Sequence, residues 1–199
     1  MSAAPGLGRG PVTALLVIDM QADFFDDPAM ERQREELVAG VNLAAARAHE
    51  ANAMVVEIRT VHTPDGSSWS LNMLEDDQGM AIEGSPGAGA AEGLELGSTV
   101  LVEKTRDSAF HATRLAELLA SRGIGSVALC GVSTESCVAT TASDAYAHDL
   151  HVVLVEDAIA AADDHAHRHA LDRLSTQYRY ATVPAAEVDF AAPSDAAMA

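Results

Sequence analysis

The stretch Ser126-Val-Ala-Leu-Cys-Gly-Val-Ser-Thr-Glu-Ser-Cys137-Val-Ala-Thr-Thr-Ala-Ser-Asp-Ala-Tyr146 decides how the rest of the chain is read. Within it, Val127-Ala-Leu-Cys130 is an apolar run of buried-strand length. Gly131 breaks the run, and small and apolar residues then recur at helical spacing. The reading is strand, tight turn, helix. Cys137 falls at the start of that helix, where unpaired backbone N–H groups and the positive end of the dipole favour a thiolate over a thiol.

The flanking sequence repeats the alternation. Thr13-Ala-Leu-Leu-Val-Ile18 is a continuous β-prone run ending at Asp19, as expected of a central parallel strand buried on both faces. An amphipathic helix follows over residues 30–52, with Leu37, Val41, Ala44, Ala45 and Ala48 on one face, and then a second strand over 53–58. Residues 62–98 are irregular, rich in glycine, and hold the single Trp69. A loop so far beyond about 12–15 residues is usually a functional lid, a binding loop or disordered. Trp69, Leu71, Met73 and Leu74 give this one something to bury, which favours order. A third strand, 99–102, leads to Lys104, and Thr113 caps a helix through Leu115, Leu118 and Leu119 that stops at Gly123. Beyond the central unit come a fifth strand, 151–155, a helix starting at Asp163 or Asp164, and a short sixth strand over 178–183. Strands alternating with helices throughout predict an α/β fold with a parallel sheet covered on both faces.

At 199 residues the chain fits one domain, expected over 12–190, with a flexible leader at 1–11 and a frayed tail at 191–199. The net charge of −18, from 30 acidic against 12 basic residues, argues against nucleic acid or an anionic membrane surface as partner. No run approaches the roughly 20 apolar residues of a membrane span, and the first residues lack a signal-peptide layout, so a cytoplasmic location is expected. Cys130 and Cys137 lie too near each other to be read as a disulfide framework; one is expected in the core and the other in chemistry.

Asp19, Lys104 and Cys137 each sit just past a different strand. In a parallel sheet those strand ends share one edge, so the three side chains can converge. Each has a plainer reading by itself: a carboxylate after a strand as a turn residue, a lysine as a solvated charge, a cysteine as a small core hydrophobe. Together they supply a base, a cation and a sulfur, the set needed to activate a thiol.

Leu16-Val-Ile-Asp19-Met-Gln21-Ala-Asp-Phe24, Glu103-Lys104-Thr-Arg-Asp-Ser-Ala-Phe110-His-Ala-Thr113 and Cys130-Gly131-Val-Ser-Thr134-Glu-Ser-Cys137-Val138 with Thr141-Ala-Ser-Asp144-Ala resemble the isochorismatase-like cysteine hydrolases. That group includes nicotinamidases, N-carbamoylsarcosine amidohydrolase and ureidoacrylate amidohydrolase. The resemblance implies a three-layer α/β/α fold with a six-stranded parallel sheet of order 3-2-1-4-5-6. It implies a triad of Asp19 as base, Lys104 as charge stabiliser and Cys137 as nucleophile. It further implies a cis peptide bond at Val132-Ser133, with the N–H groups of Ser133 and Cys137 forming an oxyanion hole, and assembly as a homo-oligomer, dimer or tetramer.

Nicotinamidases resemble one another in an Asp-x-His metal-binding pair after the second strand; here the matching residues are Thr60-Val61-His62, so neither metal nor cofactor is expected. His165, His167 and His169 crowd one helix start, with His165 and His169 at i, i+4; without an evident carboxylate partner they read as a solvated helix face. Gln21, Phe24, Trp69 and Phe110 are the candidates for substrate contact. The function expected is hydrolysis of a small amide or ureide C–N bond through a thioester. Two alternatives stay open: a vinyl-ether hydrolase of the isochorismatase type that uses no thiol, and a non-catalytic member that binds a small ligand or a partner.

Overall fold

Six strands pair in parallel in the order β3-β2-β1-β4-β5-β6 in the computed structural model, which describes residues 11–193. They are β1 (Ala14–Ile18), β2 (Met54–Thr60), β3 (Val100–Lys104), β4 (Ser126–Val132), β5 (His151–Ala160) and β6 (Ala181–Val183). The helices are α1 (Pro28–Glu50), α2 (Leu71–Asp76), α3 (Leu115–Ser121), α4 (Ala139–Ala147) and α5 (Asp164–Tyr178). The result is the expected three-layer α/β/α fold with strand order 3-2-1-4-5-6. The chain reverses direction across the sheet between β1 and β4, and the carboxyl ends of these two strands form the crevice where open α/β sheets bind ligands.

Burial follows strand position. Every residue of β1 and β4 is buried, as in strands covered by helices on both faces, whereas the edge strand β3 leaves Leu101 exposed. Among the described residues, no helix is long and apolar enough to cross a membrane.

Several boundaries differ from expectation, each for a local reason. Gly131 does not end β4. It lies inside the strand at φ +110, where an added Cβ would stand 1.9 Å from the carbonyl oxygen of Ile18, so its role is close backbone approach. β5 continues through Glu156-Asp157 to Ala160, because a bulge opposite the Leu129/Gly131 step absorbs the extra residues. α5 runs to Tyr178 and so shortens β6. Residues 62–98 are ordered, but only some of the predicted side chains are covered: Met73 is buried and Trp69 half-buried, while Leu71 and Leu74 stand exposed. Backbone pairing does more there, with His62 N–H donating to Ala81 O and Glu83 N–H to His62 O.

The expected leader reaches into the described residues only at Pro11, whose carbonyl accepts from Ser126 Oγ at 2.6 Å. The expected frayed tail is tied at its first residue, where Ala191 N–H donates to Val12 O. Residues 1–10 and 194–199 lie outside the described part.

Candidate active site

Asp19 follows β1 at φ 53, a left-handed conformation that aspartate tolerates better than most residues. Its Oδ1 accepts from Thr60 N–H and Thr60 Oγ1, each at 2.9 Å. Its Oδ2 lies 2.7 Å from Lys104 Nζ, an ion pair in which both side chains are fully buried. The Lys104 ammonium, at the end of β3, also donates to Thr60 Oγ1 at 2.8 Å and to Cys137 Sγ at 3.4 Å. Three segments far apart in the chain thus bring a carboxylate, an ammonium and a sulfur into contact, as the strand ends predict.

Thr60 is the component that sequence reading missed. It drew notice only for standing where a metal-binding carboxylate would be, yet its hydroxyl bridges Asp19 and Lys104. A hydroxyl on the last residue of a strand that pairs on either side with the strands carrying Asp19 and Lys104 was the available signal.

Cys137 lies in a π-helical turn, Thr134–Val138, that leads from the cis Val132-Ser133 bond into α4. The thiol is not the preformed thiolate expected at a helix start. Burial and the neighbouring Asp19 carboxylate push its pKa up to about 12, and the opposing pull of Lys104 and Ser136 is too small to reverse this. α4 begins only at Ala139, so the sulfur sits inside the turn before the regular helix. Burial lowers the Lys104 pKa, but the contacts that raise it, led by the Asp19 carboxylate, outweigh it and the net shift is upward, which keeps the ammonium charged. Cys130 is fully buried, donates to Leu16 O and has its pKa raised by burial alone, in keeping with its predicted core role.

Thr60, Lys104 and Cys137 line a cavity of about 790 Å³. Its wall includes Phe24, His62, Leu71, Met73, Met80 and Arg106. Of the four residues predicted to touch substrate, only Phe24 lines it. Gln21 is buried and spends its amide on backbone, donating to Thr60 O and Ala88 O and accepting from Thr60 N–H. Phe110 stacks on His148, with ring centroids 4.7 Å apart. Trp69 donates its indole N–H to Thr63 O and packs beside Gly66 and Gly79, ordering the wall from behind.

The donor set does not fit a metal. Where a metal site would need a carboxylate two residues before His62 there is the Thr60 hydroxyl, already engaged by Lys104 and Asp19, and the His62 imidazole alone is too few ligands. Among the described residues there is no group of three or more His, Cys, Asp or Glu placed to hold a metal ion. His165 and His169 stack 6.3 Å apart on α5, away from this cavity.

Residues 13–187 match the family described as Isochorismatase domain. The chain belongs to the isochorismatase family. Within it, maleamate amidohydrolase of Pseudomonas putida is 31% identical over 189 residues, covering 89% of this chain and 84% of that protein. A protein of Arabidopsis thaliana named probable inactive nicotinamidase is 32% identical over 164 residues, 78% of this chain and 84% of its own. The crystal structure of an isochorismatase family protein from Desulfovibrio vulgaris superposes with a TM-score of 0.81 at 30% identity, covering 90% of this chain and 97% of that one.

Proposed function

We propose that this isochorismatase-family chain is a hydrolase of a small amide or ureido C–N bond, working through a thioester on Cys137 with Asp19 as base and Lys104 as charge stabiliser. The observation that carries this reading is the buried contact set in which one ammonium touches both the Asp19 carboxylate, at 2.7 Å, and the Cys137 sulfur, at 3.4 Å. Its relationship to a maleamate amidohydrolase supports C–N hydrolysis as the reaction class. A vinyl-ether hydrolase would leave that sulfur without work.

Because the resting thiol is protonated, the first step couples attack to proton transfer. Asp19 takes the thiol proton as sulfur bonds to the substrate carbonyl carbon, and the carbonyl π electrons move onto oxygen. The N–H groups of Ser133 and Cys137 receive that oxyanion; donors aimed at a developing charge are worth several kcal/mol of barrier. Collapse of the tetrahedral species breaks the C–N bond, and the departing amine or ammonia takes the proton from Asp19. Water then gives a proton to Asp19 while attacking the thioester, the acid is released, and the sulfur recovers its proton. Lys104 keeps a positive charge beside Asp19 and Cys137 while the negative charge moves between them.

The test is ammonia release from a panel of small primary amides and carbamoyl compounds. Turnover of at least one by the wild type and its loss in Cys137→Ala is the expected result. Unchanged turnover in that variant would remove the nucleophile assignment.

Assembly as a homo-oligomer, dimer or tetramer, and action in the cytoplasm complete the reading. Leu71, 79% exposed on the cavity wall, and Leu74 beside it on α2, 55% exposed, support a covering neighbour. Two free cysteines suit a reducing compartment. Light scattering on the full chain checks the assembly state.

A further inference from the structure

Thr134 opens the turn that carries Cys137, and it is fully buried. Among the described residues its hydroxyl has one side-chain partner: His167 Nδ1 on α5, at 2.9 Å. No residue of α5 lines the cavity, so this contact reaches the site from behind. His167 itself is fixed in the first turn of α5. Its backbone N–H donates to Asp163 O, and the Asp163 carboxylate caps the helix by accepting from His165 N–H and Ala166 N–H at 2.7 and 2.8 Å. The same turn is held at its start by Ser136 N–H and Val138 N–H, both donating to Ser133 O. The backbone closes the turn on itself, and where the turn packs against α5 the His167 imidazole adds a side-chain hydrogen bond between them.

We propose that His167 is a positioning residue for the reaction at Cys137, holding the nucleophile turn in register through the Thr134 hydroxyl. The proposal rests on the reading of Cys137 as nucleophile. The turn supplies both the sulfur and one of the oxyanion N–H groups, so a small rotation about Thr134 moves both relative to the Lys104 and Asp19 groups fixed on the sheet. Misplacement of about 1 Å is enough to lower a rate about 100-fold. A role confined to stability would instead lower the melting temperature and leave the chemistry of the folded protein unchanged.

Four variants separate these outcomes: His167→Ala, His167→Asn, Thr134→Val and the double variant. Asparagine can place a polar atom near the former Nδ1, while alanine leaves the buried hydroxyl unpartnered. His167→Ala is expected to lower kcat about tenfold with KM changed less than about twofold, and His167→Asn to restore most of the loss. In the Thr134→Val background the His167→Ala change is expected to add nothing, because the path it acts through is already gone.

A second readout needs no substrate. The rate at which iodoacetamide alkylates Cys137, located by peptide mass spectrometry and followed from neutral to alkaline pH, reports the thiol's surroundings. In His167→Ala the apparent pKa should fall from its raised value toward the ordinary thiol range of about 8.5, as the sulfur swings out of its buried seat. Should the wild type hydrolyse no amide, this profile still decides the proposal. Should His167→Ala fail to fold, His167→Asn and Thr134→Val carry the comparison. An unchanged kcat and alkylation profile in His167→Ala, or an equal loss in the Thr134→Val background, would overturn it.

Discussion

The bottom of the cavity is Thr60, Lys104 and Cys137, buried and joined with the buried Asp19 into one bonded set, whereas on its wall Leu71 lines the same space while 79% exposed. The bottom is anchored to strand ends whose register the sheet fixes through unbroken parallel ladders on both sides of β1. The wall hangs on a short helix, α2, that contributes only Met73 to the interior. The difference separates two tasks. In the proposed reading, chemistry sits where geometry is fixed by the core, and choice of substrate falls to a segment that can change without disturbing it.

The strongest way to break this contrast is at Lys104. Lys104→Met leaves the Asp19 carboxylate buried without its ion-pair partner, which typically costs about 3–5 kcal/mol. Turnover should also fall by at least about three orders of magnitude, as removal of a central catalytic group does elsewhere. Denaturant melts and kinetics on the same preparation check both. Gly131→Ala attacks the bottom without touching any reacting group. With φ at +110 and a carbonyl oxygen 1.9 Å from the new Cβ, β1 and β4 must part, and a loss of about 2–3 kcal/mol or more is expected in urea unfolding.

Burial of the two thiols gives a milder, pH-dependent signature. Burial raises Cys130 and Cys137 above their unfolded values, Cys137 to about 12, and Lys104 is also raised despite its burial. The unfolded chain therefore loses these protons first. Their contribution is complete below about pH 8.5, where an unfolded thiol begins to titrate, and is lost as pH climbs toward the folded values. Melting temperature should fall steadily across the alkaline range, and Cys130→Ala should flatten that slope. The smallest effect belongs to the wall: Leu71→Ser should shift KM several-fold between amides of different size while the melting temperature stays within about 1–2 °C, since an exposed side chain contributes little to stability.

What could be read from the sequence follows the same division. The runs 13–18 and 127–130 announced central strands because burial on both faces demands uninterrupted apolar residues, and the site followed from the residues placed just beyond them. Thr60 stayed hidden because a hydroxyl at a strand end is a common residue until its neighbours are known. The protonated state of Cys137 could not be read either. A helix start and a lysine both argue for a thiolate, and only the depth of burial beside Asp19 decides against it. Gln21 and Phe110 sit inside motif stretches and looked like substrate contacts, yet one holds backbone and the other stacks on His148. Leu71 and Leu74 misled in the opposite direction, since apolar side chains in a long loop suggest burial and these line or flank an open cavity.

The most direct trial of the central claim is mass spectrometry of the wild-type protein quenched during turnover of whichever amide the panel identifies. The account predicts that the peptide containing Cys137 gains the mass of the substrate's acyl group, and that hydroxylamine removes it. Product accumulating at full rate with Cys137 never acylated, or with Cys137 replaced by alanine, would contradict it.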